Sequence, residues 1–139
     1  MPASLPATSG TSPPHIPRLV PGQRPEEDAA MSQQLASRHC EACVPGTPTV
    51  TEEQAAELEA QLDPSWDRDR TQRLRRELEF RNFRDAFGFV ARLALLAESE
   101  GHHPDIELGW GRVAVTLTTH AAGGLTDNDF ILAAKLDRL

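Results

Sequence analysis

A chain of 139 residues with 39% hydrophobic content can bury one real core, provided that part of its length lies outside that core. Its formal net charge of -7 and pI near 5.2 exclude a nucleic-acid binder that works by phosphate neutralisation, because no basic run is present. No 18-residue apolar run occurs and the N-terminus lacks the pattern of a secretory signal, so the expectation is a soluble, cytoplasmic protein that binds neither membrane nor nucleic acid.

Nine of the 11 prolines fall before residue 49, among Ser, Thr and Gly. Residues 1–48 therefore read as a disordered Pro-rich tail, most clearly from Met1 to about Arg24, where little apolar surface could offset the entropy of ordering. Cys40 and Cys43 are spaced C-x-x-C beside His39, a pattern open to a redox pair, half of a zinc site, or reduced and inert thiols. The last is the simplest, and no metal is expected.

The domain is expected over residues 49–139. Thr51-Glu52-Glu53-Gln54 has the form of a capping box, and Ala55, Leu58 and Leu62 give the helix that follows its apolar stripe. Asp63-Pro64 ends it. A short strand from Trp66, a turn over residues 69–72, and a second strand with Leu74, Arg76, Leu78 and Phe80 on one side come next. The arginines from Arg68 to Arg84 alternate with acids, which predicts a solvated strand face.

Asn82, with Asp85 three residues on, predicts the start of a longer helix. Phe83, Phe87, Val90, Ala94 and Ala97 fall on one face of it, and Phe89, Leu93 and Leu96 on another. Two apolar faces predict burial against the sheet and against a partner subunit. Strands over residues 106–110 and 112–119 follow, with Val113, Val115 and Leu117 alternating. Thr126 is the expected cap of a last helix, with Asp129 three residues on and Leu125 and Phe130 as a hydrophobic staple. The order α-β-β-α-β-β-α, with short turns between neighbouring strands, predicts an α+β fold: a four-stranded antiparallel sheet carrying three helices on one face.

The chemistry concentrates in Glu98-Ser99-Glu100-Gly101-His102-His103-Pro104. Gly101 suits the left-handed cap of the long helix and Pro104 sets the direction into the next strand. If the last two strands form a hairpin, His120 returns beside His102 and His103, and three imidazoles near neutral pKa can serve as acid and base without a cofactor. Glu98 can be a solvated carboxylate or the partner of a histidine. Asp129 reads first as a helix cap, and Trp110 as turn packing or a ligand contact.

The carboxylate four residues before His102-His103-Pro104, the aromatic Trp110, the third histidine His120 and Asp129 beyond it closely resemble the signature of the pterin-4a-carbinolamine dehydratase family. The run from Phe80 to Phe89 looks like that family's aromatic helix entry, and His39-Cys40-Glu41-Ala42-Cys43 is similar to a leader of bacterial members. The resemblance covers roughly residues 51–139. It implies dehydration of 4a-hydroxytetrahydropterin to quinonoid dihydropterin in tetrahydropterin recycling, with no cofactor, as a homodimer or homotetramer serving an aromatic amino-acid hydroxylase. It further implies His102, His103, His120 and Glu98 as catalytic, with His102, His103, Pro104, Thr119, His120, Ala121, Ala122 and Trp110 lining the pterin. Ala121-Ala122 depart from the Glu-Cys usual in animal members. The alternative is a non-catalytic relative, such as a RuBisCO assembly chaperone or a dimerisation cofactor, which would need only the oligomeric surface.

Overall fold

The computed structural model describes residues 34–139. The expected tail from Met1 to Arg24 lies outside the described residues. After a helical turn at residues 34–37, the elements are α1 (Glu52–Glu59), β1 (Asp67–Asp69), β2 (Arg73–Glu79), α2 (Phe83–Glu100), β3 (Asp105–Gly109), β4 (Arg112–Leu117), a 3-10 turn (His120–Ala122) and α3 (Asp127–Leu136). The strands form one antiparallel sheet in the order β1-β2-β4-β3. This is the α+β architecture predicted by the spacing of apolar residues.

The caps explain where the helices start. Thr51 and Gln54 exchange side-chain and backbone hydrogen bonds at 3.2 and 3.0 Å, closing the capping box of α1. Asn82 Oδ1 accepts from Asp85 N at 2.8 Å at the start of α2.

Strand alternation sorts the sheet into two faces. Leu74 opposes Leu117, Leu78 opposes Val113, and Ile106 opposes Val115, which places these side chains under the helices. They share one core with Ala55, Phe89, Leu93, Leu125 and Phe130. Arg76 lies on this inner face although it is charged; it donates to Asp137 Oδ1 at 2.6 Å, and Trp66 Nε1 donates to the same oxygen at 2.7 Å. The arginine cluster is thus divided. Arg75 lies on the solvated outer face with Glu77 and Glu107, as predicted, and Arg112 of β4 joins it there, whereas Arg68 is nearly buried between Glu52 and Glu59.

α3 differs from an ordinary surface helix. Every residue from Asn128 to Leu136 except Lys135 is buried, so the helix needs cover on all sides. Residues 34–43 provide part of it. Leu35 and Ala36 enter the core, and Lys135 Nζ donates to Ala36 O at 2.9 Å. The expected tail of residues 1–48 therefore includes, in its last part, a segment packed on the domain, because α3 has apolar surface there to cover.

Gly124 fixes the loop before α3. A Cβ on it would stand 2.6 Å from Thr71 O, the same oxygen that accepts from Leu125 N at 2.8 Å. Gly124→Ala is expected to lower stability by about 1 to 3 kcal/mol, the usual range for forced overpacking, as read from the urea unfolding midpoint. A midpoint equal to that of the native chain would show that the Thr71 backbone yields freely.

Candidate active site

The end of α2 determines where His102 stands. Gly101 adopts φ 63°, the left-handed conformation that costs a glycine little, and His102 N donates back to Ala97 O at 3.2 Å while Gly101 N reaches Glu98 O at 3.2 Å. This closure turns the chain sharply, and Pro104 leads into β3. The β3–β4 pairing sets Asp105 opposite Thr116. Carried outward, the same register sets His102 opposite Thr119, with His120 one residue further on. Thr119 and Gly124 close the following turn with reciprocal backbone hydrogen bonds of 3.1 and 3.3 Å.

The group that joins these ends is Asp129. Its side chain is wholly buried, and its Oδ1 lies 2.6 Å from His102 Nε2. Its Oδ2 accepts from Thr119 Oγ1 at 2.7 Å and from Thr126 N at 3.0 Å. Where Nε2 of His102 is the donor in this contact, Nδ1 is the ring nitrogen left for other chemistry. Asp129 is thus a cap, as read from the sequence, and the holder of His102 as well. Thr119 is buried and serves this carboxylate through its hydroxyl.

His103 and Glu98 form a second, wetter pair. Their Nε2 to Oε2 distance is 2.8 Å, with side chains 63% and 79% exposed, which makes it an adjustable contact and of little weight in stability. His120 is exposed on the 3-10 turn with Ala121, while Ala122 is half-buried. The register therefore places His102, His103, Pro104, Thr119 and His120 at the same end of the sheet, with His102 and Thr119 joined through Asp129. Trp110 does not join them within the chain. It sits 71% exposed in the turn between β3 and β4, at the other end of a strand about 17 Å long.

Glu100, which the sequence reading did not single out, is the buried acid of this corner. Cys40 N donates to its Oε2 at 2.9 Å, His39 Nδ1 lies 3.1 Å from Oε1, and Lys135 Nζ 3.2 Å from Oε1. Burial pushes its pKa up, but these partners outweigh it and hold the carboxyl below the usual glutamate range. The two thiols are free, and burial pushes that of Cys40 up to about 12. Among the described residues no three His, Cys, Asp or Glu side chains are grouped as metal ligands would be. No described helix is long and apolar enough to cross a membrane.

The family model described as Pterin 4 alpha carbinolamine dehydratase matches residues 48–139, and the chain belongs to that family. A relative from Rubrobacter xylanophilus, named as a provisional pterin-4-alpha-carbinolamine dehydratase, is 47% identical over 106 residues, 76% of this chain and 98% of its own length. One from Aromatoleum aromaticum, named the same way, is 47% identical over 110 residues, 78% of this chain and 97% of its own. The crystal structure of a transcriptional coactivator/pterin dehydratase from Brucella melitensis superposes with a TM-score of 0.61 at 37% identity, covering 65% of this chain and 96% of that one. A match of 106 residues is longer than the span 48–139, so it extends into the segment before residue 48.

The lowered pKa of Glu100 gives a pH prediction. A carboxyl whose folded pKa lies below its unfolded value contributes stability in full above the ordinary glutamate range, and loses it as pH falls through the lowered folded value. Urea midpoints of the native chain should therefore carry an acid-dependent component in that window which Glu100→Gln removes. Equal acid sensitivity in both proteins would show that Glu100 is not the group responsible.

Proposed function

We propose that the protein catalyses loss of water from 4a-hydroxytetrahydropterin by histidine acid/base chemistry. The reaction breaks the C4a–O bond: a proton is delivered to the leaving hydroxyl, the N5 lone pair expels it as water, and the N5 proton is then lost to give the quinonoid dihydropterin. One acid and one base suffice, and no electrons leave or enter the pterin. His102 and His120 take these roles, His103 with Glu98 orients the substrate, and the backbone of residues 102–104 and 119–122 lines it. The observation that carries this reading is the 2.6 Å contact between His102 and the buried Asp129, which leaves one nitrogen of an aligned imidazole for the substrate.

Turnover would take place in the cytoplasm, in the recycling of a tetrahydropterin spent by an aromatic amino-acid hydroxylase. A homo-oligomeric state is supported by α2, where Ala86, Phe89, Leu93 and Ala97 face the core while Phe83, Phe87 and Leu95 stand 49%, 56% and 73% exposed. The Phe83 and Phe87 rings stack with centroids 6.5 Å apart. Phe83 and Phe87 belong to the first of the two apolar faces read from the sequence, whereas Ala97 of that face turns to the core and Leu95 falls on neither; a dimer or tetramer would cover the exposed side chains.

Stopped-flow decay of 4a-hydroxytetrahydropterin tests the activity. His102→Ala and His120→Ala should each lower the rate about 10²- to 10⁴-fold, or roughly 2.7 to 5.4 kcal/mol of barrier. A native chain no faster than buffer, or variants equal to it, would overturn the assignment and favour a binding role. For the assembly, Phe87→Asp should shift sedimentation toward a smaller species; unchanged sedimentation would remove α2 from the interface.

A further inference from the structure

The C-x-x-C segment was left without a role by the chemistry above, yet it is held by more polar contacts than an idle strap requires. His39 and Cys40 engage Glu100, two residues before His102. Glu41 engages Asn128, the residue before Asp129, twice: Glu41 N donates to Asn128 Oδ1 at 2.9 Å, and Asn128 Nδ2 donates to Glu41 O at 2.6 Å. The carboxamide thus imitates a peptide group of a neighbouring strand, and two parallel bonds set its orientation as well as its place.

Both thiols close on the same residue. Asn128 Nδ2 also reaches Cys43 Sγ at 3.1 Å, and Cys40 Sγ reaches Asn128 O at 3.5 Å. With its pKa pushed up to about 12, the Cys40 thiol keeps its proton and remains a donor. Asn128 is only 6% exposed, so a loss of these partners would leave a buried amide unsatisfied. Lys135 adds an anchor further along α3 by bridging Ala36 O and Glu100.

The contacts form a closed circuit. From His102 it runs back along the chain to Glu100, across to Cys40 and Glu41, across to Asn128, along the chain to Asp129, and across 2.6 Å to His102. The ends of two different helices carry the two members of that last contact. The segment over residues 39–43 spans the same two ends by an independent route.

We propose that this segment is a positioning element for the His102–Asp129 pair, and that Asn128 is the positioning residue through which it acts. It sets the approach of the first turn of α3 to the end of α2, and so the direction of the His102 ring. This rests on His102 being the acid/base group of the proposed dehydration; the geometric claim stands on the contacts alone. Catalytic geometry is sensitive at this scale, since a misplacement of about 1 Å can cost on the order of 10²-fold in rate.

The test uses the full chain and two variants that loosen the segment's anchors at its two ends, Asn128→Ala on the α3 side and Lys135→Met on the Glu100 side, where Lys135 holds the carboxylate that His39 and Cys40 engage. Trp66→Phe, which deletes a hydrogen bond to Asp137 at the other side of the core, is the control for general loss of stability. The first readout is the ring N–H proton of His102 in one-dimensional proton spectra, expected well downfield of the amides for a 2.6 Å contact and assigned by its loss in His102→Gln. Both variants should broaden this signal or move it upfield, and lower kcat roughly tenfold with KM changed less than about twofold, while Trp66→Phe leaves signal and kcat in place.

Unchanged signal and kcat in both variants would overturn the proposal, as would absence of the signal in the native chain. If Asn128→Ala does not fold, Lys135→Met decides. A native chain without dehydratase activity would sink the functional reading, and the proton signal would then still decide whether the segment holds the pair.

Discussion

A carboxylate with no exposure to water must have every oxygen answered from within the protein, and Asp129 is such a group. Its three partners come from three places: the chain just beyond α2, the end of β4, and the N-cap of its own helix. Satisfying it therefore requires that the end of α2, the exit of the β3–β4 hairpin and the start of α3 be in place together. Removing any one partner would leave a buried carboxyl oxygen short of a hydrogen-bond partner, a costly defect in a small core. The same requirement makes the corner specific. Hydrophobic packing of α2 and α3 would tolerate a slide of some tenths of an ångström; a 2.6 Å contact does not.

The elements were legible in the sequence because their signals are local. Thr51 with Gln54, Asn82 with Asp85, and the alternation of Val113, Val115 and Leu117 each act within a few residues, and each holds in the structure. The meeting of His102 with the β4 exit was legible too, since a hairpin returns the chain to where it began. Asp129 shows the limit. The capping motif accounts for one carboxylate oxygen, Oδ2, and offers no hint that the other is free to take a histidine 27 residues away.

The docking of residues 34–43 on the domain was not legible for a related reason. Proline and glycine counts average over a stretch, whereas docking depends on a few residues, here Leu35, Ala36 and the backbone around Glu41. A signal did exist at the other end of the chain. Phe130, Ile131, Leu132, Ala133, Ala134 and Leu136 leave α3 apolar on every side, and one sheet face cannot cover a helix all round. Trp110 illustrates the converse: spacing in the sequence ties it to the histidines, but a strand of five residues carries it to the far end of the sheet.

Burial divides the three imidazoles in a way that spacing alone could not. The His102 side chain is 11% exposed and held by a buried carboxyl group, His103 is 63% exposed beside a solvated Glu98, and His120 stands on the surface of a three-residue turn. In the proposed reaction these differences matter, because the two proton transfers make different demands. A group that must meet one substrate atom in one direction gains from a rigid hold, while a group that must exchange its proton with solvent between turnovers gains from exposure. His102 fits the first demand and His120 the second. The turn bearing His120 carries only alanines after it, so its shape depends on the backbone: Thr119 and Gly124 pair across it, and Gly123 takes φ 77° to close it. The hydroxyl of Thr119 inside that same turn rests on Asp129, so the exposed imidazole and the buried one are referred to a single carboxylate.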